Sequence, residues 1–300
     1  MPVDEAMKHR RQLVGVAYRL LGSITEAEDV TQEAYARWYA MSPQQRHAIG
    51  SPGAWLTTVA SRLCLDVLGS ARARRERYVG EWIPEPLPAY SLDHQTDPAD
   101  QVTLDESISM AFLVVLEHLT PAERVAFILH DVFRYPFTEV ASIVGRTPAA
   151  CRQLATSARR RIRASRQAST PIAQQREIVA VFKSAWEAKD IPRLLTLLDP
   201  NATISADGGG IVPATLEPVE GLNQIALSFA ALADRAPDLV VRERTVNGQP
   251  GLVAEQDGSV AVVLAFEIAG GRILRIWAMR NPQKLRAWAD SERGPTPNSR

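Results

Sequence analysis

The chain has 300 residues, and its 34 Lys and Arg balance its 34 Asp and Glu, so its formal net charge at pH 7 is zero. This length predicts two or three domains, and the neutral balance excludes a polycation that coats nucleic acid along its whole surface. Because Cys64 and Cys151 have no CxxC spacing, we expect free thiols, with no disulfide framework, no metal site and no cofactor.

The start of the chain and its hydropathy predict a cytoplasmic protein. The opening segment MPVDEAMKHRRQL lacks the apolar core of a signal peptide. No apolar run approaches the length that is needed to cross a bilayer. We therefore expect a soluble chain with no membrane partner.

Residues 7–78 have apolar positions at helical spacing and are predicted to be helical. Gly22 is expected to end the first helix, and Ser23 or Thr25 to cap the next. This second helix, Glu26–Tyr39, carries several acidic residues in its early turns.

A loop and a second helical stretch follow. The polar segment Ser42–Pro52 contains two prolines and a glycine, which predicts a loop. The next helix, Gly53–Arg72, leads into a cluster formed by Arg72, Arg74, Arg75 and Arg77. Residues 79–105 are rich in proline and acids, which is typical of an extended linker.

The stretch Leu119–Arg163 has the signals of a helix-turn-helix. The signals, in chain order, are a capping box from Thr120 and Glu123, a break at Pro136, an N-cap at Thr138, a stop at Gly145 and a new start at Thr147 and Pro148.

The last helix of this stretch is predicted to bind DNA. One face carries the apolar residues Cys151, Ala155, Ala158 and Ile162. The opposite face carries the donors Arg152, Gln153, Thr156, Arg160 and Arg163, which can bond to bases or phosphates. The alternative is a solvated surface helix, but no acidic residue lies between Glu139 and Glu177, whereas ordinary surface helices mix both signs.

The last third of the chain changes pattern and predicts an α+β fold. Two amphipathic helices are followed by strand-like runs separated by Gly, Asn and Asp turns, with one more helix near Leu222–Ala233. The expected strands are Ala202–Ala206, Leu239–Val246, Gly251–Glu255, Val260–Ile268 and Ile273–Met279. Two or three helices on one curved antiparallel sheet would form a cone.

The front of the chain resembles a bacterial sigma factor of the extracytoplasmic-function (ECF) type. The segment AYRLLGSITEAEDVTQEAYARWY is similar to the early part of sigma region 2, and SPGAWLTTVASRLCLDVLGSARARR is similar to its later part. The helix-turn-helix is similar to sigma region 4. The resemblance covers residues 7–166 and implies a promoter-recognition subunit of RNA polymerase.

The C-terminal part resembles a SnoaL-like domain of the NTF2-like superfamily, a pairing found in the ECF41 or SigJ-like subgroup. Three motifs carry this resemblance, namely WIPEP at Trp82–Pro86, DGGG at Asp207–Gly210 and NPQKL at Asn281–Leu285. The subgroup more often has leucine at the position of Ile83 and aspartate at the position of Gln283. The glutamine removes the negative charge of that aspartate.

The resemblance implies a multidomain fold, with two all-α sigma domains followed by an α+β NTF2-like cone. The expected divisions are region 2 at 1–80, a linker with WIPEP at 81–105, the region 4 helix-turn-helix at 106–166, a second linker at 167–172, the SnoaL-like domain at 173–290 and a flexible tail at 291–300.

The family resemblance also implies roles for particular residues. Asp29, Gln32 and Glu33 match the motif that docks on the clamp helices of the largest subunit of core RNA polymerase. The loop Ser42–Pro52 would capture a flipped base of promoter DNA. The residues expected to contact DNA at the −10 element are Trp55, Thr58, Arg62, Arg72, Arg74 and Arg75, and those at the −35 element are Arg152, Gln153, Thr156, Arg160 and Arg163.

The attached domain is expected to regulate sigma activity in cis, so that no separate anti-sigma factor is required. Contacts between the three motifs would involve Trp82, Pro84, Glu85, Pro86, Asp207, Gly208, Gly209, Gly210, Asn281, Pro282, Lys284 and Leu285. Asp207 is interpreted as a turn residue that bonds backbone amides, and a role as a catalytic acid is the alternative.

Two other functions stay open from the sequence. The chain could be a DNA-binding regulator whose C-terminal domain senses a small-molecule ligand. Alternatively, that domain could be a cyclase or isomerase, although it contains no histidine and no cysteine. The sequence favours a sigma factor that is not itself an enzyme, because polymerase would supply the catalysis.

Overall fold

The computed structural model describes residues 6–75, 78–89, 107–165 and 170–291, and the side chains of 71–75, 290 and 291 lie outside this description. Within these ranges the chain divides into two compact units. The first unit comprises residues 6–75, 107–108 and 112–165, and the second comprises 78–89, 109–111 and 170–291.

The first unit is helical. Its helices are α1 (Arg10–Leu21), α2 (Ile24–Ala40), α3 (Pro43–His47), α4 (Pro52–Arg75), α5 (Met110–Glu117), α6 (Pro121–Phe127), a π-helix (Ile128–Val132), α7 (Phe137–Val144) and α8 (Pro148–Ser165). The first two residues of α5 belong to the second unit. None of the helices in the described ranges has both the length and the apolar character that a bilayer span requires.

The junction between α1 and α2 confirms the predicted start and stop signals. Gly22 adopts a left-handed conformation with φ of 70°, and its N–H donates to the Tyr18 carbonyl at the end of α1. The Ser23 hydroxyl then accepts from the N–H of Glu26, so Ser23 rather than Thr25 is the N-cap of α2.

The predicted loop Ser42–Pro52 is wrong in part, because it contains the short helix α3. The Ser42 hydroxyl accepts from the N–H of Gln45 at 3.2 Å, and the Gln45 side chain accepts from the N–H of Ser42 at 2.8 Å. Together with Pro43 at the first helical position, this capping box stabilises one helical turn within an otherwise polar segment.

The helix-turn-helix is present, and its expected capping box is confirmed between Thr120 and Glu123. Its middle helix differs from the prediction, since α7 begins at Phe137 after the N-cap residue Pro136. Thr138 therefore lies inside the first turn and does not cap the helix. Pro136 has an extended backbone, with φ of −66° and ψ of 147°, and no side chain caps the helix that follows. The proline ring restricts φ to this value.

The second unit combines helices with one sheet in an α+β arrangement. Its elements are α9 (Ile172–Glu187), α10 (Ile191–Leu197), β1 (Leu198–Asp207), β2 (Val219–Glu220), α11 (Leu222–Arg235), β3 (Val240–Val246), β4 (Gln249–Gln256), β5 (Ser259–Ala269), β6 (Arg272–Met279) and α12 (Arg286–Ser291). The six strands form one sheet in the order β2-β1-β6-β5-β4-β3.

The expectation of an entirely antiparallel sheet is wrong at one pairing. Strands β1 and β6 run parallel, with Ile204 opposite Ile276 and Asp207 opposite Met279. The chain leaves β1 through β2 and the crossover helix α11, and only then makes the hairpins from β3 to β6. Side-chain periodicity reports which residues are buried and carries no information on strand direction, so the sequence could not reveal this pairing.

Aromatic side chains fill the space between the sheet and its helices. The Phe182 ring meets the Phe229 ring edge-on at 5.0 Å between centroids, and Trp186 meets Phe229 at the same distance. The Trp186 indole N–H donates to the Phe229 carbonyl at 3.1 Å. The concave side of the cone is thus occupied by a hydrophobic core in which Trp186 and Phe182 are fully buried.

Residues Tyr78–Ala89, hereafter the strap, pack within the second unit. Leu87 and Asn247 exchange two hydrogen bonds of 2.9 Å, and Pro88 forms an antiparallel bridge with Val246 at the end of β3. The Trp288 indole N–H on α12 donates to the Pro86 carbonyl at 2.8 Å. The described part of the predicted linker is therefore extended but held at several points.

Candidate functional site

The carboxylate of Asp207 lies at the centre of a buried hydrogen-bond network in the second unit. One oxygen accepts from the Tyr78 hydroxyl at 2.7 Å and from the N–H of Gly209 at 3.0 Å. The other oxygen accepts from the N–H of Ile83 at 3.1 Å and from the Lys284 ammonium at 2.7 Å. Asp207 is 1% exposed, so these four donors replace the water that a carboxylate normally binds.

Lys284 joins the strap to the end of the sheet. Besides its bond to Asp207, its ammonium donates to the Ile83 carbonyl at 2.7 Å. It also lies 4.2 Å from the centre of the Trp82 ring and 5.1 Å from that of Tyr78. The positive charge is thus held by a carboxylate, a carbonyl and two aromatic faces, an arrangement that favours a buried cation.

Asn281 and the glycines of the DGGG motif approach each other closely. The Asn281 amide donates to the Tyr78 hydroxyl at 2.9 Å. A Cβ atom on Gly209 would lie 2.3 Å from the Asn281 amide nitrogen, and Gly209 has a φ of 64°, so both space and conformation require glycine there. This geometry agrees with the interpretation of Asp207 as a turn residue.

The phenol of Tyr78 is kept protonated in this network. Burial raises its pKa, and the hydrogen bond to Asp207 and the negative charge of Asp207 raise it further. A hydroxyl that donates to a carboxylate loses that bond on ionisation, so Tyr78 is a donor throughout the physiological pH range.

The structure brings residues of all three motifs together around Asp207. The residues in direct contact with this network are Trp82, Gly209, Asn281 and Lys284. Of the remaining predicted contact residues, Pro84, Glu85, Pro86, Gly208 and Leu285 are buried, whereas Gly210 and Pro282 are exposed. Sequence reasoning missed Tyr78, Asn247 and Trp288, which lie outside the motifs and carry no local signal of their contacts.

The acidic residues of α2 lie on an open surface of the first unit. Asp29, Gln32 and Glu33 are all exposed. Glu33 forms an i,i+4 ion pair of 2.8 Å with Arg37, and both side chains are about half exposed. A pair so open to solvent contributes little to stability, so this face is available for a partner.

Helix α4 carries the residues expected at the −10 element. Trp55 is half-buried and packs against Trp38 at 5.4 Å between ring centroids. The Thr58 hydroxyl donates to the Ala54 carbonyl within the helix, and the Arg62 guanidinium donates to the Ser142 carbonyl of α7 at 2.8 Å. The side chains of Arg72, Arg74 and Arg75 lie outside the described residues.

Helix α8 separates its arginines into two classes. The expected apolar face is buried, and the expected reading face is exposed at Arg152, Gln153, Thr156, Arg160 and Arg163. Arg159 instead forms a 2.7 Å ion pair with Asp131 of the π-helix, and Arg161 donates to the His118 carbonyl at 3.0 Å. These two arginines hold α8 on the helices that precede it.

A cleft of about 560 Å³ lies on the second unit beside the end of the strap. Residues lining it include Pro88, Arg176, Arg244, Val253 and Trp288.

Comparison with known proteins identifies both halves of the first unit. The family described as Sigma-70 region 2 matches residues 6–75, and the family described as Sigma-70, region 4 matches residues 109–162. The first span contains α1–α4, and the second contains α5–α7 and most of α8.

Relatives match the chain over its whole length. It is 38% identical to the ECF RNA polymerase sigma factor SigJ of Mycobacterium tuberculosis, over 100% of this chain and 98% of that protein. It is 37% identical to the probable ECF RNA polymerase sigma factor SigI of the same species, over 95% of each chain. The crystal structure of M. tuberculosis SigJ matches with a TM-score of 0.74 and 34% identity, over 95% of this chain and 98% of that one. The chain therefore belongs to the extracytoplasmic-function RNA polymerase sigma factors, which direct transcription initiation.

Proposed function

We propose that the second unit of this sigma factor regulates transcription initiation in cis by holding the strap. The strap lies in the chain between the residues that match region 2 and those that match region 4. The observation that carries the proposal is the Asp207 network, because it ties Tyr78 and Ile83 of the strap to Lys284. A tethered domain has a high effective concentration, so a small contact is enough to restrain the segment between two DNA-reading regions.

The first unit supplies the contacts with polymerase and promoter in this proposal. The exposed residues Asp29, Gln32 and Glu33 of α2 bind the clamp helices of core RNA polymerase. The exposed face of α8 reads the −35 element, with Arg152 and Arg160 able to bond to guanine or phosphate. Helix α4 and the segment before it bind the −10 element.

The contents of the cone favour a regulator over an enzyme. Its interior is occupied by Phe182, Trp186 and Phe229, which leaves that space to side chains instead of substrate. Asp207 accepts four hydrogen bonds, one of them from Lys284, so its oxygens are engaged. A small-molecule effector, if one acts on this domain, fits better in the cleft beside Pro88 and Trp288, where it would contact the strap.

Run-off transcription with core RNA polymerase tests the proposal. The full chain is expected to give promoter-specific transcripts, whereas a repressor or a separate enzyme would give none. Lys284→Met and Trp82→Ala remove different contacts of the strap, so both should change the transcript yield in the same direction at equal protein concentration.

The matched control is Lys183→Met in the same unit. Lys183 forms a surface ion pair of 2.8 Å with Glu187 and takes no part in the Asp207 network. The transcript yield of Lys183→Met should equal that of the wild type. Wild-type yield from both strap variants, with folding verified by circular dichroism, would contradict regulation through the strap.

A further inference from the structure

Three side chains from successive elements of region 4 form a series of contacts that ends at the start of α8. His130 belongs to the π-helix, Phe137 is the first residue of α7, and Arg152 is the fifth residue of α8. The His130 and Phe137 rings stack at 3.7 Å between centroids and 25° between planes. The guanidinium carbon of Arg152 lies over the Phe137 ring, 5.7 Å from its centre.

The His130 ring is fixed by a hydrogen bond to the backbone. Its Nδ1 lies 2.9 Å from the carbonyl oxygen of Tyr135, in the segment before α7. Because a carbonyl oxygen can only accept, Nδ1 carries the proton and donates in this contact. His130 and Phe137 are half-buried, whereas Arg152 is exposed. The two rings therefore form a support that is anchored to the backbone, and the arginine extends from it towards solvent.

The Arg152 guanidinium is restrained by this support without losing its hydrogen-bond donors. Among the described residues, it donates to no carboxylate and to no carbonyl oxygen. Two other arginines of α8 differ in this respect. Arg159 donates to the Asp131 carboxylate at 2.7 Å, and Arg161 donates to the His118 carbonyl at 3.0 Å. The donors of Arg152 are thus free for a partner outside the protein, while its position is held by the attraction between a cation and an aromatic ring.

A restrained guanidinium with free donors suits the recognition of a DNA base. Arginine reads guanine through two N–H donors that bond to O6 and N7, and this geometry tolerates little displacement. A free arginine loses rotamer freedom when it binds, so a support that fixes it beforehand reduces that cost. The first residues of a recognition helix are those that reach base edges, as Arg152 can. Arg160 and Arg163 lie further along the exposed face, and neither has a cation–π contact within the described parts of the chain.

We infer that Phe137 and His130 are positioning residues that hold Arg152 for bidentate bonding to one guanine of the −35 element. Arg152 is then the arginine of α8 that determines specificity, whereas Arg160 makes contacts that depend less on the base. The inference rests on the proposed role of α8 at the −35 element. It adds the base that Arg152 selects and the two rings through which the protein fixes this side chain.

Selection from a DNA library tests this assignment. The full chain, assembled with core RNA polymerase, is incubated with duplex DNA that carries a randomised segment, and sequencing of the bound fraction gives the base preference at each position. The wild type should prefer guanine at one position of the −35 element that depends on Arg152. Arg152→Ala should abolish this preference and leave the preferences at the other positions unchanged, because a base contact is lost and the phosphate contacts remain.

Phe137→Leu keeps an apolar side chain but removes the ring beneath Arg152. It should reduce the guanine preference at the position read by Arg152 by roughly two- to fivefold, the value of an exposed cation–π contact. Phe137→Tyr retains the ring and should keep the wild-type preference. His130→Leu should cause a smaller reduction, since it removes the support of the Phe137 ring and leaves that ring in place. An equal loss of affinity for all bound sequences in Phe137→Leu would mean that Phe137 only stabilises region 4, and would overturn the inference.

Arg160→Ala is the matched control, because Arg160 is exposed on the same face of α8 without an aromatic support. It should leave the guanine preference at the position read by Arg152 unchanged. If Arg152→Ala alters no position, the proposed role of Arg152 at the −35 element fails, and the inference fails with it. If Arg152→Ala abolishes the preference but Phe137→Leu retains it in full, the inference alone is overturned. Should circular dichroism show that Phe137→Leu does not fold, an unchanged preference in His130→Leu overturns the inference instead.

Discussion

The strap network of the second unit and the region 2–region 4 contact of the first unit both bury polar groups, but they do so differently. In the strap network, each oxygen of Asp207 accepts two hydrogen bonds, and Lys284 has a carboxylate, a carbonyl and two rings around it. In the other contact, the Ser61 hydroxyl has no partner among the described residues. The first arrangement pairs the charges that it buries, whereas the second leaves a buried polar group without a partner among the described residues.

The difference follows from the free energy of burial. A buried ion pair is tolerated when hydrogen bonds satisfy both partners, and removal of one partner leaves a charge without compensation. A buried neutral hydroxyl without a partner costs less desolvation free energy than an unpaired charge. An interface that contains such a hydroxyl is therefore only moderately destabilised.

The largest expected effect is that of Lys284→Met. The substitution keeps most of the side-chain volume but leaves the Asp207 carboxylate buried with no cation, so the second unit should lose about 3–5 kcal/mol of stability. Chemical denaturation followed by tryptophan fluorescence measures this loss. Lys183→Met, which breaks an exposed pair, should change stability by less than about 0.5 kcal/mol. Similar small values for both variants would mean that the strap network is no stronger than a surface contact.

A smaller effect is expected from Gly209→Ala. The new Cβ would lie 2.3 Å from the Asn281 amide nitrogen, and the backbone has a φ of 64°. Gly258→Ala is the matched control, because Gly258 has a φ of 71° and open space around its Cβ position. Both variants bear the conformational penalty of about 1–2 kcal/mol, and only Gly209→Ala should add a steric penalty and shift the Asn281 amide resonance. Equal losses in the two variants would show that the DGGG turn does not depend on close approach to Asn281.

The sequence predicts local features of this molecule better than it predicts contacts between distant residues. Gly22, Ser23 and the Thr120 capping box could be identified because these signals act within a few residues. The division of α8 into a buried apolar face and an exposed polar face followed from helical periodicity in the same way. Region 2, region 4 and the α+β domain were therefore predictable in kind.

Contacts between distant segments were not predictable from the residues alone. The bond between Tyr78 and Asp207 spans 129 positions, and that between Thr57 and Tyr135 spans 78. Arg159 and Arg160 are adjacent and identical in chemistry, yet only the former forms an ion pair with Asp131. Such differences arise from contacts in the folded chain. Helical periodicity shows only on which face of a helix a residue lies.

The smallest expected effect is that of Ser61→Ala, which tests the contact between regions 2 and 4. Because the Ser61 hydroxyl is fully buried without a partner among the described residues, its removal relieves a desolvation penalty. The first unit should become more stable by about 1 kcal/mol, the opposite sign from Lys284→Met in the second unit. The measurement is again chemical denaturation, with Ser70→Ala as the control because Ser70 is exposed on the same helix. A loss of stability in Ser61→Ala would mean that the hydroxyl is paired in solution, and the contrast with the fully bonded Asp207 network would then fail at this residue.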